Sequence, residues 1–237
     1  MKNIDNYDKL TFFLKQEFND FSKKEKIVFF LIALIIIFSS IALKDGKIAI
    51  LSSICGISYT IFNGKGKIYC YFFGITSSLC YSYLAFKNGF WGNFGLNFLY
   101  YFPLQIYGII NWKKHLKKNT LSVKKKKLSG FIEFFLFCGS ITTLLILGLI
   151  IKFKNYNFIN FLDFSILILS IIAMVLAVKR CIEQWYFWSI VNLFSIILWL
   201  IAFLKGSGCF ALILMWIIYF ILGIYFLFQW KKEIQKS

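Results

Sequence analysis

An all-α integral membrane protein of eight spans is the architecture this sequence predicts, and three observations predict it. Apolar residues lie in long blocks without charge, so that 59% of the 237 residues are hydrophobic and the mean hydropathy is +0.73. The 27 lysines and arginines all fall between those blocks. Finally, most of the chain matches itself after a shift of 118 residues. About 20 apolar residues cross ~30 Å of hydrocarbon, so blocks of this length read as transmembrane helices rather than soluble core.

The chain opens with a mixed-charge leader, residues 1–26, in which Leu10, Phe13, Leu14, Phe18 and Phe21 recur at three- and four-residue spacing. That spacing suits a helix lying in the interface plane, or a solvated cytoplasmic segment. No small-residue cleavage pattern marks a signal peptide. Hydropathy then places spans at 27–43, 47–62, 68–86, 90–112, 131–151, 161–178, 184–204 and 208–230. Counting Lys and Arg on alternate sides gives 21 on one side and six on the other. Cytoplasmic loops carry the excess, so both termini are expected in the cytoplasm. The richest cytoplasmic stretch is the basic loop 113–130, and residues 231–237 form a cytoplasmic tail.

In the 118-residue shift, without gaps, Asp45 falls on Asp163, Ser52 on Ser170, Ser77 on Ser195, Tyr81 on Trp199, Tyr101 on Tyr219 and Tyr107 on Tyr225. Trp112, Lys113 and Lys114 fall on Trp230, Lys231 and Lys232. Isoleucine on isoleucine means little in such sequence, whereas tyrosine, tryptophan and aspartate in one register mean more. The matches divide the chain into a three-span repeat at 47–112, a linker span at 131–151 and a second three-span repeat at 161–230. One linking span between two odd repeats orients them alike, about an axis along the membrane normal, with a pathway between them. Span 27–43 is then an accessory helix outside the core.

The net charge of +17 does not point to nucleic acid, because the lysines sit in loops and form no stripe on a soluble face. Six cysteines without a CxxC and a single histidine, His115, supply no metal site and read as packing residues. There is no nucleophile motif, phosphate loop or zinc-protease motif, so no enzyme and no cofactor is predicted. His115 reads as a solvated loop residue. None of the ten acidic residues lies deep in a span, which argues against proton coupling and for passive facilitation.

One helical face departs from this greasy background. Along Glu183 to Phe203, Trp185, Trp188, Asn192, Ser195 and Trp199 share an arc of roughly 80° at 100° per residue. Three indoles, an amide and a hydroxyl suit a flat, partly polar small molecule. Asn192 lies roughly 12 Å into its span, where it needs either a ligand or a helix-to-helix hydrogen bond. Trp185, at the cytoplasmic end, is either a ligand contact or an interface anchor. The span 90–112 adds Asn93, Asn97, Tyr101 and Gln105, beside the chain's only proline, Pro103, which frees the Leu99 carbonyl and favours a kink. Gly74, on Asn192 in the 118 register, leaves room for a neighbour. Polarity and depth add Asn97, Tyr101, Gln105 and Tyr219 as candidate binding residues.

The W-x-x-W-x-x-x-N of Trp185, Trp188 and Asn192, with the segments Ile68 to Gly74 and Gln105 to Gly108, resembles the PnuC family of vitamin transporters over residues 45–230. The resemblance implies nicotinamide riboside as substrate, bound by Trp185, Trp188 and Asn192. It also implies a SWEET-like 3+1+3 helix core, facilitated diffusion across the bacterial cytoplasmic membrane, trapping by cytoplasmic phosphorylation for NAD biosynthesis, and a homotrimer. Relatives in that family that carry riboflavin, thiamine or deoxynucleosides set the alternative. A membrane enzyme and a ligand-free assembly bundle are the competing classes. The first would need a nucleophile, metal ligands or paired carboxylates at interface depth, where only Glu183 stands.

Overall fold

The computed structural model describes residues 21–42, 47–87, 94–116, 122–154, 158–205 and 210–235. Expectations for the leader up to residue 20, Asp45, Asn93 and Cys209 lie outside these residues. Among the described residues, eight α-helices run in chain order: α1 Lys23–Ala42, α2 Lys47–Gly64, α3 Cys70–Lys87, α4 Phe102–Lys113, α5 Gly130–Phe153, α6 Phe158–Val178, α7 Gln184–Leu204 and α8 Phe210–Gln235. A π-helical segment, Leu96–Tyr101, leads directly into α4. Helical residues run through the described part of each expected span, the span 90–112 being built from the π segment together with α4. Four stretches, in α5 to α8, are long and apolar enough to cross a membrane, and Ile50–Gly64 is a shorter apolar helix. With few strand contacts and a polytopic apolar composition, the chain is an all-α membrane protein.

The helices group by contact. In one trio α3 packs on both α2 and α4, and in the other α7 packs on both α6 and α8. The trios meet where α4 packs on α6 and α8 on α2, so the third helix of each lies against the first of the other. Helix α5 packs on α6, while α1 packs on α2 and α8.

The basic ends of the first helices explain how the trios lock. Gly66 at φ 70° and Arg180 at φ 63° turn the chain left-handed, and Lys67 N–H and Cys181 N–H reach back to the Phe62 and Leu176 carbonyls at 2.8 and 2.9 Å. This is the Schellman stop, which leaves further helix-end carbonyls to satisfy. Trp112, on α4, donates its indole N–H to Val178 O at 3.1 Å and Ala177 O at 3.2 Å, at the end of α6. Trp230, on α8, donates to Gly64 O at the end of α2 at 2.5 Å. Each trio therefore caps the other with a fully buried indole.

These reciprocal contacts correct the ungapped register. Trp112 and Trp230 differ by 118, but the helix ends they cap, Gly64 and Val178, differ by 114. Tyr71 meets Trp112 edge to face at 5.1 Å, as Trp185 meets Trp230 at 5.8 Å. Tyr101 hydrogen-bonds Ser170, as the Tyr219 hydroxyl abuts Gly56. First and second helices thus correspond at 114 and third helices at 118. Sequence matching missed the four-residue step because isoleucine-rich helices match themselves in many registers.

The second half of the basic loop is a strap across both turns. Val123 N–H bonds Gly66 O, Lys126 N–H bonds Arg180 O, and Ile182 N–H returns to Lys126 O, all between 2.8 and 3.0 Å. Arg180 Nη1 also donates to Lys124 O at 3.0 Å. His115, expected in solvent, is half-buried, with Nδ1 2.8 Å from Asn111 O and its carbonyl accepting from Lys124 N–H.

Helix α1 is attached through Glu25. Ser22 and Glu25 form a reciprocal capping box, Ser22 N–H to Oε2 at 2.9 Å and Glu25 N–H to Oγ at 3.2 Å. Glu25 Oε1 also accepts from Lys65 Nζ and, at 2.7 Å, from the Tyr225 hydroxyl. Burial alone would raise this carboxyl, but those hydrogen bonds outweigh it and hold it at about 2, against an ordinary 4.5.

Two predictions follow from these locks. Because the Glu25 carboxyl is depressed on folding, its contribution is complete above pH 4.5 and lost as pH falls towards 2. Thermal unfolding of Glu25→Gln in detergent should therefore fall below the parent at pH 6 and approach it at pH 3. Trp230→Phe keeps the ring but uncaps Gly64 O, which should cost about 1–3 kcal/mol in the same measurement.

Candidate functional site

Hydroxyls and carboxamides solve the membrane's hydrogen-bond problem differently. Ser58, Thr60, Thr76, Ser82, Ser140 and Ser189 each donate to the carbonyl four residues earlier, at 2.7 to 3.2 Å, and need no other helix. A carboxamide carries two donors and an acceptor that its own helix does not satisfy. Asn63, Asn97, Gln105 and Asn192 are buried, and all four line one cavity.

That cavity has a volume of about 290 Å³ and lies between the trios. This is near the lower end of small-molecule sites, roughly 300–1,000 Å³. Helices α2 and α3 supply Tyr59, Asn63, Gly74, Ser78 and Tyr81, and the segment leading through α4 supplies Asn97, Tyr101 and Gln105. The second trio supplies Ser170 and Met174, then Trp185, Trp188 and Asn192, then Trp216, Tyr219 and Gly223. No Lys, Arg, His, Asp or Glu is among its described lining residues.

Of the candidate residues, Trp185, Trp188, Asn192, Asn97, Tyr101, Gln105 and Tyr219 meet here. Trp199 does not line the cavity, although it shares their helical arc; the cavity ends before its turn of α7. Trp185 is no lipid-facing anchor. It is 2% exposed and wedged between Phe226, at 5.5 Å, and Trp230. Its indole N–H and that of Trp216 are buried without a partner among the described residues, as is Gln105 Oε1.

Sequence reasoning passed over Asn63, Tyr59, Ser78, Ser170, Met174 and Trp216. Trp216 had a signal, because it shares a helical face with Tyr219 and Gly223 at spacings of three and four. Asn63 sat at a predicted loop edge, whereas α2 runs two residues further than expected, to Gly64, and carries it into the wall.

The corrected register changes how the halves compare. Asn192 corresponds to Ser78, and Gln105 to Gly223. In the first trio Gln105 Nε2, from the third helix, donates to Ser78 Oγ at 2.9 Å. In the second, Asn192 projects from the middle helix and Gly223 lies on the third, an added Cβ there standing 3.8 Å from Asn192 Nδ2. Each half places one carboxamide at this level, rooted on a different helix. Gly74 leaves space for the first: a Cβ there would stand 2.7 Å from both Gln105 Oε1 and Tyr59 Cδ2.

Pro103 acts ahead of itself. Rather than a simple kink it is preceded by the π turn, in which Phe102 N–H bonds Asn97 O, five residues back. The wider turn accommodates the proline's missing N–H, and π turns of this kind concentrate at functional sites. It carries Asn97 and Tyr101 into the cavity wall.

Glu183 is fully buried just outside the cavity, where Oε1 accepts from Leu128 N–H of the strap at 3.0 Å. Burial pushes its carboxyl up, and that backbone hydrogen bond opposes the shift only in part.

A polar and aromatic cavity enclosed by two helical trios defines a small-molecule transporter of the membrane. Residues 46–232 match the family described as nicotinamide mononucleotide transporter, and the chain belongs to that family. It is 31% identical over 199 residues to the nicotinamide riboside transporter PnuC of Neisseria mucosa, covering 81% of this chain and 74% of that one. The Haemophilus influenzae protein of the same name is 27% identical, over 94% and 97% of the two chains. A crystal structure of the vitamin B3 transporter PnuC superimposes with a TM-score of 0.79 at 28% identity, covering 94% of this chain and 97% of that one.

Gly74→Ala tests the geometry. The methyl drives either the Ser78-bound Gln105 or the Tyr59 ring into the cavity, so ligand affinity should fall at least several-fold, with about 1–3 kcal/mol of destabilisation. Calorimetric binding and thermal unfolding of the purified variant measure the two effects.

Proposed function

We propose that this protein imports nicotinamide riboside by facilitated diffusion, the product being trapped by phosphorylation in the cytoplasm. The observation that carries the reading is the arrangement of Trp185, Trp188 and Asn192 around a cavity whose described lining holds no charged side chain. Indole and phenol faces favour a cationic pyridinium without a carboxylate counter-ion. The amides and indole N–H groups offer partners for a carboxamide and ribose hydroxyls. A phosphate would be poorly served, because no Lys or Arg is among the cavity's described lining residues. The unphosphorylated nucleoside named for the relatives therefore fits better than the mononucleotide of the family's description.

The reading extends to eight spans in a SWEET-like 3+1+3 core, with α2–α4 and α6–α8 as parallel repeats, α5 as linker and α1 as accessory. Reciprocal caps at Gly64 and Val178 support the parallel arrangement. Both termini lie in the cytoplasm of a bacterial cell, as the 21-to-six partition of Lys and Arg supports. The assembly is a homotrimer by resemblance to the family.

In proteoliposomes, labelled nicotinamide riboside should enter saturably without an ion gradient, and Trp188→Ala or Asn192→Ala should lower uptake at least tenfold. Absence of saturable uptake overturns the reading. Stronger competition by riboflavin, thiamine or a deoxynucleoside reassigns the substrate.

A further inference from the structure

A chain of three carboxamide and carbonyl groups leads from the strap to the cavity. Cys181 O belongs to the turn before α7 and accepts from Gln184 Nε2 at 3.2 Å. Gln184 Oε1 accepts from Asn63 Nδ2 at 3.0 Å, across the junction between the trios. Asn63 lines the cavity and Gln184 does not. Both are buried, at 2% and 0% exposure, and Asn63 Oδ1 has no hydrogen-bond partner among the described residues.

The direction of these bonds is set at one end. An amide side chain has two nearly isosteric orientations, and its hydrogen bonds decide between them. A backbone carbonyl only accepts, so Cys181 O requires the Gln184 amide to present Nε2 and turns Oε1 towards Asn63. Asn63 must then present Nδ2. Reversing either amide would set oxygen against oxygen or nitrogen against nitrogen in a buried site. What Asn63 leaves for the cavity is therefore an acceptor.

We propose that Gln184 is a positioning residue for Asn63, and that this pair makes the cavity select a ligand with a hydrogen-bond donor, hydroxyl or amide N–H, at Asn63 Oδ1. A buried acceptor without a partner is unfavourable, and a ligand donor relieves it, whereas an acceptor-only group is repelled. Because the last link is Cys181, whose turn is held by the strap through Lys126, the polarity is anchored outside the cavity. The proposal rests on nicotinamide riboside as ligand.

The test measures calorimetric binding of nicotinamide riboside and of analogues in which one donor is replaced by an acceptor-only group: the carboxylate for the carboxamide, and the separate methyl ethers of the ribose hydroxyls. The protein should disfavour one of them by about tenfold or more through this contact. In Gln184→Met, which keeps the volume but frees Asn63 to reverse, that discrimination should fall about tenfold, while steric rejection of the other analogues persists. Asn63→Leu should lose the same discrimination, and it decides the matter if Gln184→Met fails to fold. A merely structural role would weaken all ligands in proportion. Unchanged discrimination against every analogue in the folded variants overturns the relay alone. Failure of the parent protein to bind nicotinamide riboside overturns the functional reading and the relay with it.

Discussion

The structure depends on how the ends of α2 and α6 are satisfied. A helix leaves its last carbonyls without intrahelical partners, and at a buried junction water does not replace them. Here the missing donors are indoles brought by the opposite trio, Trp112 for α6 and Trp230 for α2. Because each trio completes the other, neither is satisfied alone at this end. The same indoles set the next layer, since Tyr71 and Trp185 pack edge to face on them, and Trp185 in turn forms part of the cavity wall. Capping, packing and site are thus one continuous stack.

The strap reinforces that stack from outside. It hydrogen-bonds backbone groups of both turns, and Lys125 lies 2.8 Å from Glu233 and 4.8 Å from the Trp230 ring. Arg180 accepts a left-handed conformation that glycine would adopt more readily, and its guanidinium reaches Lys124 O from there. A basic loop read from charge alone is, in three dimensions, a tie between the halves.

What the sequence made legible follows from physics that is local. Blocks of apolar residues report helices because solvent and lipid act on each residue independently, and the Trp185, Trp188, Asn192 stripe was visible because period and polarity coincide on one helix. Long-range facts were harder to read. Asn63 gained its role from a partner 121 positions away, and Trp199 stands off the cavity because its turn lies past Asn192, the last residue of α7 in the lining. The 118 register was right for tryptophans and tyrosines of the third helices and off by four elsewhere, where only contacts distinguish one leucine or isoleucine from the next.

That four-residue step makes the two ends of the molecule unequal. At the basic end the halves match in their left-handed turns, indole caps and edge-to-face rings, as two hands clasped at the wrists. Beyond the cavity, the α7 to α8 connection carries four more residues than its counterpart, counted between Asn192 and Tyr219 in one half and Ser78 and Tyr101 in the other. Approximate twofold symmetry thus holds closely at the basic end, and past the cavity the two halves follow different registers.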